Sequence, residues 1–302
     1  MLETHSKITF AVFHAQPPAA AESSEHESVS IQKRRETKYD QLIELLFRSA
    51  EIHHPDCRKV ILTDSDTRFE LPTAVEVSRY ELDSSQMMYS RLAAQLDFVR
   101  SFDFRSHLIL MDSDMLVNES LNELFSENFD LALSYREAPR LTKGIEEMPI
   151  NGGLIVIKDT GKEPAIAFLE RVLQEYQSAQ LKKFRAWYGD QYALIEVVGR
   201  DRFFNRHNDF LEIGNANLRL LPCEKWNFTP SEKAKRYTRR FKGKKIVHFR
   251  GSRKKFMLLY WKAFLAPLAA RNLRVKLLSL LAQAAMRWLR FTELLERKRR
   301  LD

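Results

Sequence analysis

The first two thirds of the sequence alternate short apolar runs, rich in β-branched and aromatic residues, with stretches of helical periodicity. The apolar runs predict strands over Ile8–Phe13, Lys59–Thr63, His107–Met111, Leu131–Tyr135, Ile150–Ile157 and Lys245–Phe249. The periodic stretches predict helices over Thr37–Ile52, Tyr89–Phe102, Glu163–Gln177 and Asp190–Val198, and Gln16–Ser30 predicts a polar loop. This alternation favours an α/β fold, in which helices cover a parallel sheet. Ligands bind such sheets at the carboxyl ends of the strands, so the residues that follow the apolar runs are the candidate functional residues.

The composition argues against several other classes of protein. The 302 residues are 44% hydrophobic and 29% charged, as in ordinary globular proteins. The longest uncharged stretch near the C-terminus, Leu277–Met286, is much shorter than the roughly 20 apolar residues of a membrane span. Met1–Phe10 lacks the apolar core of a secretory signal. Cys57 and Cys223 fit neither a disulfide framework nor a cysteine-rich zinc site, so we expect a cytoplasmic protein.

Glycine is scarce, with nine residues in the whole chain. None of them lies in a G-x-G-x-x-G or G-x-x-x-x-G-K-[ST] pattern. The sequence therefore argues against both the Rossmann dinucleotide fingerprint and the P-loop. If the chain binds a nucleotide, it uses a different motif.

Two carboxylates follow the apolar run HLILM in the triplet Asp112-Ser113-Asp114. Two residues apart in an extended chain, they lie on the same side and can share one hard cation. Oxygen ligands of this kind suit Mg²⁺ or Mn²⁺. A solvated turn is the alternative, since Asp and Ser also favour turns, but the position at the end of a buried strand favours a metal site.

A second triplet, Asp64-Ser65-Asp66, also ends a predicted strand, but Thr67 and Arg68 follow it instead of an apolar run. We interpret it as a strand-to-loop turn at the edge of the sheet. Contact with a nucleobase or ribose is the alternative.

His248 lies in the segment KIVHFRGSRKK, directly after a β-rich triplet. Gly251 allows close backbone approach to a ligand. Four cations surround them, namely Arg250, Arg253, Lys254 and Lys255. An imidazole nitrogen suits an Mn²⁺-like ion, and the cations suit a diphosphate. A histidine with a purely structural role is the alternative, but the nearby glycine and cations favour a role in ligand binding.

Two further segments place polar groups beside apolar runs. Asn151-Gly152-Gly153 opens the strand Ile150–Ile157, where glycine lets the backbone approach a ligand closely, and a simple turn is the alternative. Asp190 and Gln191 lie beside two aromatic residues in WYGDQYALI, where the alternative is a helix N-cap by Asp190.

Taken in order, these motifs resemble the GT-A type glycosyltransferases, in particular glycosyltransferase family eight. The family shows an Arg-Leu helix, a strand running into D-x-D, then N-x-G, D-Q and H-F-x-G-x-x-K. The corresponding segments here are YSRL, LILMDSDMLV, INGGLIVI, GDQYAL, KWN and VHFRGSRK. With the first strand they span Ile8–Lys254. The resemblance implies a Rossmann-like mixed sheet flanked by helices, followed by a basic helical C-terminal tail.

The resemblance also implies roles for individual residues. Asp112, Asp114 and His248 correspond to ligands of Mn²⁺ or Mg²⁺. Asp190 and Gln191 correspond to the catalytic pair near the reacting anomeric carbon. The residues implied to contact the nucleotide-sugar donor are Phe13, Arg91, Asp112, Ser113, Asn151, Gly152, Gly251 and Lys254.

The implied reaction transfers a sugar from a nucleotide-diphosphate sugar, expected to be a UDP-sugar, to a hydroxyl group with retention. The expected acceptor is a cell-envelope glycan, a glycolipid or lipopolysaccharide. A nucleotidyltransferase is one alternative, although Phe13–Ala20 lacks the glycine-rich loop that such enzymes usually carry. A non-catalytic sugar-nucleotide binding protein is another. A nucleic-acid binding module is not expected, because it would not explain the strand-end carboxylates.

Positive charge is concentrated near the C-terminus. Lys233–Asp302 holds 22 Lys and Arg against 3 Asp and Glu, whereas the preceding residues hold 27 against 37. We expect a catalytic domain at 1–255 and a basic, amphipathic helical extension at 256–302, divided by Pro267. Trp261 and Trp288 suit an interface, so the extension predicts peripheral binding to anionic lipid on the inner face of the cytoplasmic membrane. Packing of its apolar residues on the catalytic domain is the alternative.

Overall fold

The structure is a computed structural model that describes residues 7–15, 39–72, 74–137, 148–178, 188–204, 209–270 and 272–299. The predicted polar loop Gln16–Ser30 lies outside these ranges.

A mixed sheet of eight strands forms the centre of the described chain. The strands in chain order are β1 (Ile8–Phe13), β2 (Arg58–Thr63), β3 (Glu76–Arg79), β4 (His107–Met111), β5 (Met115–Val117), β6 (Leu131–Tyr135), β7 (Ile150–Ile157), β8 (Phe210–Ile213), β9 (Ala216–Pro222) and β10 (Ile246–His248). All except β5 and β10 join the large sheet, in the spatial order β3-β2-β1-β4-β7-β6-β9-β8. The strands from β3 to β4 are parallel, as the sequence predicts, but β7 runs antiparallel to both β4 and β6. Consequently β6 and its parallel partner β9 point the same way as β4.

The strand order reverses at β1. The strands β2 and β3 lie on one side of it and β4 lies on the other. This reversal is a topological switch point, and open α/β sheets bind ligands in the crevice outside the strands there. Phe13 ends β1 and Asp112 follows β4, so both lie at this crevice.

Helices cover both faces of the sheet. The described α-helices, in chain order, are α1 (Tyr39–His53), α2 (Met87–Ser101), α3 (Asn122–Phe125), α4 (Lys162–Tyr176), α5 (Gly189–Val198), α6 (Asp201–Phe204), α7 (Cys223–Trp226), α8 (Lys254–Tyr260), α9 (Ala266–Ala269) and α10 (Leu273–Arg299). On one face α2, α4 and α5 bury Leu96, Phe168 and Ile195 in a common core. On the other face α1 buries Ile43 and Phe47. The predicted fold class, an α/β fold with a mixed sheet flanked by helices, is confirmed.

The predicted elements agree with the observed ones to within two residues at each end. The second triplet forms the predicted turn, because Asp64 Oδ1 accepts the backbone N–H of Asp66 at 2.8 Å and Oδ2 accepts the Thr67 hydroxyl at 2.7 Å. Hydrogen bonds to Thr67 and Asp66 outweigh the effect of burial and lower the pKa of Asp64.

A short second sheet links the two halves of the chain. The strand β10 pairs antiparallel with β5, with His248 opposite Met115. The backbone N–H of Phe249 donates to the carbonyl of Asp114 at 2.8 Å. This pairing places His248 beside the strand-end carboxylates.

The segment after β10 packs on the body of the protein. Phe256, Tyr260 and Trp261 are buried in one cluster with Leu42 of α1 and Leu116 of β5. Trp261, predicted at an interface, is therefore only 5% exposed. The predicted boundary between a catalytic domain at 1–255 and a C-terminal extension at 256–302 falls within α8, and this division stays a prediction.

The tail is divided into two helical parts, as predicted, but the break lies at Ala270, three residues after Pro267. The chain forms a π-helical turn over Trp261–Leu265, where the N–H of Ala266 bonds to the carbonyl of Trp261, and Pro267 is the second residue of α9. Pro267 has no N–H to donate, and a change to π-type bonding in the preceding turn is a local adjustment that accommodates a proline in a helical run. The helix ends three residues later at Ala270, which is extended (φ −144°, ψ 131°). Within the described ranges, every helix is too short or too polar to span a bilayer.

Candidate active site

Asp112 and Asp114 stand at the carboxyl edge of β4, where the chain passes from the large sheet to β5. The N–H of Asp112 still bonds to the carbonyl of Gly153 on β7 at 3.0 Å, which fixes its position against the sheet. The Asp112 side chain is 29% exposed, whereas that of Asp114 is 9% exposed. Ser113, a predicted donor contact, is buried between them.

His248 faces both carboxylates. Its Nε2 lies 3.1 Å from Asp114 Oδ1 and 3.6 Å from Asp112 Oδ2. On the other side of the ring, Nδ1 lies 3.0 Å from Asn227 Oδ1, and Asn227 Nδ2 donates to Ser134 Oγ at 2.8 Å. Because the amide nitrogen of Asn227 donates to Ser134, its oxygen accepts from Nδ1, which leaves Nε2 facing the two carboxylates.

Asp112, Asp114 and His248 fit a divalent metal ion. One ligand atom from each of them lies within 4.8 Å of the other two. Two carboxylates and an imidazole nitrogen are the donors that Mn²⁺ accepts, and the carboxylates also suit Mg²⁺. The structure thus brings together the three residues predicted as metal ligands.

Arg91 and Lys254 contact the carboxylates from two sides. Arg91 Nη1 lies 3.0 Å from Asp112 Oδ1, and Lys254 Nζ lies 2.8 Å from Asp114 Oδ2. Burial by itself would raise the pKa of Asp114, but His248 and Lys254 hold it well below its usual range. Burial also opposes the charge of Arg91, yet Asp112 and other nearby carboxylates raise its pKa. Fixed positive charge therefore lies on both sides of the anionic group.

The start of β7 lies between β4 and α5 in the candidate site. Arg91 Nη2 donates to the carbonyl of Gly152 at 2.7 Å, and Ser134 Oγ donates to the carbonyl of Asn151 at 2.8 Å. A Cβ at Gly152 would lie 3.2 Å from Gln191 Cγ. Asn151 Oδ1 accepts a hydrogen bond from the N–H of Gly153 at 3.2 Å. The predicted contact between Asn151 and the donor stays a prediction.

Gly153 gives the first testable consequence. A Cβ at this position would overlap Asp112 Oδ2 and lie 2.9 Å from Met115 Cε. We expect Gly153→Ala to displace the Asp112 carboxylate and to weaken Mn²⁺ binding by about 10- to 100-fold, as changes next to metal ligands do. Calorimetric titration with Mn²⁺ measures this change. Gly243→Ala is the control for backbone strain away from the site: its φ of +74° disfavours alanine, but no atom lies within 4 Å of its Cβ position, so it should lower stability and leave Mn²⁺ affinity unchanged. Unchanged Mn²⁺ affinity in a folded Gly153→Ala protein would contradict the assignment of Asp112.

Asp190 lies in the first turn of α5 and does not cap it. Tyr188 precedes the helix in the left-handed conformation (φ 67°), so the N-cap alternative is wrong. Asp190 Oδ2 lies 3.9 Å from Arg91 Nη1. Burial raises the pKa of Asp190 in spite of Arg91. Among the described residues, Asp190 Oδ1 and Gln191 Oε1 are buried without a hydrogen-bond partner, which in a native protein requires an explanation such as a bound ligand.

Phe13 and Gly251, two residues predicted to contact the donor, lie at the edge of the candidate site. Val12 pairs with Met111, so Phe13 stands beside Asp112 at the switch point. Gly251 adopts φ +63° and has open space around it, in the turn that leads to Lys254. Their roles in donor binding stay predictions.

Sequence reasoning missed the roles of Asn227 and Gly153. Asn227 is fully buried and orients His248, whereas the sequence analysis placed it in the segment KWN without a role. Gly153 is constrained by Asp112, a contact that exists only because β7 pairs with β4.

Comparison with known proteins finds likeness to solved structures at low sequence identity. The sequence matches no protein-family model and no curated protein. A solved structure of a glycosyltransferase involved in the glycosylation of the major capsid of PBCV-1 is similar over 84% of this chain and 98% of its own, with 16% identity and a TM-score of 0.48. The glycosyltransferase GlyE of Streptococcus pneumoniae TIGR4 is similar over 87% of this chain and 62% of its own, with 15% identity and a TM-score of 0.48. Likeness at this level carries no argument about activity, which depends on the site itself.

Proposed function

We propose that this chain is a glycosyltransferase that moves a sugar from a UDP-sugar to a hydroxyl group of an acceptor glycan, with retention. The observation that carries the proposal is the convergence of Asp112, Asp114 and His248 with Arg91 and Lys254 at the switch point of the sheet. Ligands for a divalent ion beside fixed positive charge are what a diphosphate leaving group needs.

In this proposal Asp112, Asp114 and His248 hold Mn²⁺ or Mg²⁺. An ion held there supplies Lewis-acid stabilisation of the negative charge on the leaving diphosphate. Asn227 keeps the ring of His248 in its orientation, as outer hydrogen bonds to metal ligands generally do.

Arg91 and Lys254 bind the donor in this proposal. The hydrogen bond to the Gly152 carbonyl fixes the Arg91 guanidinium beside the cluster. Lys254 is a point charge at the start of α8. Both can donate charge-assisted hydrogen bonds to phosphate oxygens or the donor sugar.

The donor sugar lies over the start of β7 in this proposal, beside Asp190 and Gln191. The bond between its anomeric carbon and the diphosphate oxygen breaks, and the electron pair stays on UDP. The oxygen of the acceptor hydroxyl forms the new bond to the anomeric carbon, and its proton passes to the departing diphosphate oxygen. The unpartnered oxygens of Asp190 and Gln191 support their placement beside the reacting carbon.

Asp190→Ala tests that placement. We expect kcat to fall by about 100-fold or more while donor affinity changes little, because a group used mainly in the transition state affects the rate constant. Steady-state kinetics and calorimetric binding of the UDP-sugar measure the two effects. Asp190→Asn keeps the shape of the side chain and shows whether the charge matters. Equal losses of binding and turnover would instead make Asp190 a positioning residue.

A donor screen tests the proposed function itself. The full chain is incubated with UDP- and GDP-sugars, Mn²⁺ and a panel of acceptor glycans, and the released nucleotide diphosphate is measured. Metal-dependent release of UDP supports the proposal. Pyrophosphate release from a nucleoside triphosphate and a sugar phosphate would make the chain a nucleotidyltransferase. Binding of a UDP-sugar without release across the panel would make it a binding protein.

We also propose that the acceptor is a cell-envelope glycan, a glycolipid or lipopolysaccharide, met at an anionic membrane to which α10 binds. This helix buries only a narrow face, with Ala282 and Met286 in the core. Leu280 is 63% exposed and Trp288 is 65% exposed. Other exposed apolar residues of α10 are Leu273, Leu277, Leu278, Leu281, Leu289, Phe291 and Leu295. Apolar side chains with cations on one helix are typical of helices that lie at a lipid interface.

A further inference from the structure

A cavity lies beside the candidate active site, between the start of α2 and the end of α4. Its volume is about 300 Å³, and the described residues that line it are Gln86, Tyr89, Tyr176 and Gln177. These four include none of the proposed metal ligands and none of the cations placed on the diphosphate. The proposed function therefore assigns no ligand to this cavity, although its volume is in the range of small-molecule sites.

The walls of the cavity belong to the segments that carry the groups of the active site. Tyr89 lies two residues before Arg91, whose Nη1 is 3.9 Å from Asp190 Oδ2. The Tyr176 ring lies so close to Gly189, the residue before Asp190, that a Cβ at Gly189 would lie 2.5 Å from Tyr176 Cζ. The cavity therefore adjoins the place proposed for the reacting anomeric carbon.

Hydrogen bonds and ring packing hold these walls in place. Gln177 Nε2 donates to the Tyr89 hydroxyl at 2.6 Å, and Gln86 Nε2 donates to Asp83 Oδ2 at 3.1 Å. The rings of Tyr89 and Tyr176 meet edge to face, with their centroids 5.7 Å apart. Tyr176 is buried and Tyr89 is partly exposed. Side chains that are ordered before a ligand arrives lose less entropy on binding, so the cavity is preorganised.

The lining combines aromatic rings with neutral amides. A pyranose ring suits such a lining, because its C–H groups form an apolar face that packs on an aromatic ring while its hydroxyls need donors and acceptors. Gln86 and Gln177 use their amide nitrogens within the protein, so their carbonyl oxygens can accept from sugar hydroxyls. The Tyr89 hydroxyl accepts from Gln177 and can itself donate. None of the four described lining side chains is charged, which favours a neutral sugar over an acidic one.

We propose that this cavity binds a neutral sugar residue of the acceptor glycan. The word acceptor rests on the proposed function, whereas a neutral-sugar site at Tyr89 and Gln177 does not depend on it. Tyr89 then determines acceptor specificity from the helix whose Arg91 binds the donor, and the two substrates meet at Asp190.

Titration of the full chain with lactose, maltose and N,N′-diacetylchitobiose tests the proposal, with UDP and Mn²⁺ present to fill the donor site. Ligand-detected NMR and calorimetry measure sugar and UDP binding. We expect at least one disaccharide to bind, and Tyr89→Ala to weaken its binding about 10-fold or more because the aromatic ring is lost. Tyr89→Phe keeps the ring and should retain most of the affinity.

A second variant avoids the hydrophobic core, against which Tyr89 packs. Gln177 is exposed, and Gln177→Ala should weaken disaccharide binding about 3- to 10-fold, as loss of one neutral hydrogen bond does. UDP affinity should not change. Gln41→Ala is the matched control, because Gln41 is an exposed glutamine of α1, which covers the other face of the sheet. Thermal unfolding verifies the fold of each variant.

Three outcomes overturn the proposal. If none of the three disaccharides binds, the cavity is not a sugar site. If binding is the same in folded Tyr89→Ala and Gln177→Ala proteins, the sugar binds elsewhere. If Gln177→Ala lowers UDP affinity together with disaccharide affinity, the cavity belongs to the donor site. Failure of UDP to bind the unaltered chain would count against the proposed function only, because the same titrations without UDP still decide whether the cavity binds a neutral sugar.

Discussion

Asp114→Asn is expected to lower donor turnover by about 100- to 1,000-fold while leaving the protein folded. The side chain is buried between two partners, His248 Nε2 at 3.1 Å and Lys254 Nζ at 2.8 Å, and it supplies one of the two carboxylates of the proposed metal site. Asparagine keeps the shape but removes the charge that the ion and both partners require. Release of UDP measures turnover, and thermal unfolding monitored by circular dichroism verifies the fold.

Chelation provides an independent test of the same site. EDTA should abolish turnover by the unaltered chain, and added Mn²⁺ should restore it. Asp66→Asn is the matched control, because Asp66 belongs to the other Asp-Ser-Asp triplet and is exposed in a turn. If Asp114→Asn retains full activity in the presence of EDTA, the carboxylates have no metal to hold and the assignment fails.

The second large effect concerns α10. The full chain should sediment with phosphatidylglycerol vesicles at low salt, and the bound fraction should fall as salt is raised. Each cation near such a surface contributes on the order of 1 kcal/mol, so several exposed arginines and lysines are enough for salt-sensitive attachment. The exposed cations on the described part of the helix are Arg274, Lys276, Arg287 and Arg290.

Point variants separate attachment from folding better than truncation does. Removal of the chain after Ala270 should abolish binding, but it also removes Ala282 and Met286 from the core. Leu280→Glu with Trp288→Glu changes only exposed positions, so it should release the protein from vesicles without lowering its unfolding temperature. Phosphatidylcholine vesicles are the control for charge. Absence of binding to phosphatidylglycerol at low salt would refute the membrane proposal and leave α10 as a structural helix.

Local sequence patterns were sufficient to predict six of the ten described strands, the helices that cover the sheet and the residue types of the site, but not the strands β3, β5, β8 and β9. The strands and helices could be located because alternation, apolar runs and helical periodicity are properties of neighbouring residues. Asp112, Asp114 and His248 could be chosen because polar metal-ligating residues directly follow apolar strands. Gly152, Arg91, Asp190 and Lys254 were likewise predicted at the site, and the structure brings them around the carboxylates.

Relationships between distant segments could not be predicted in this way. The antiparallel insertion of β7 between β4 and β6 was not visible in the run INGGLIVI, because a fully buried strand carries no alternation to show its direction. That pairing gives Gly153 its contact with Asp112. Trp261 was expected at an interface, but the fold of the tail onto α1 buries it.

The sequence by itself therefore determined most of the segments that form the centre of the sheet and its covering helices, and which chemical groups stand at the strand ends. Only the tertiary structure decided that Asn227 orients His248, that Gly153 lies against Asp112, and that the tail bends at Ala270. The physical reason is that a side chain's period and polarity are encoded locally. Its partner is set by strand order, register and packing, which depend on the whole chain at once.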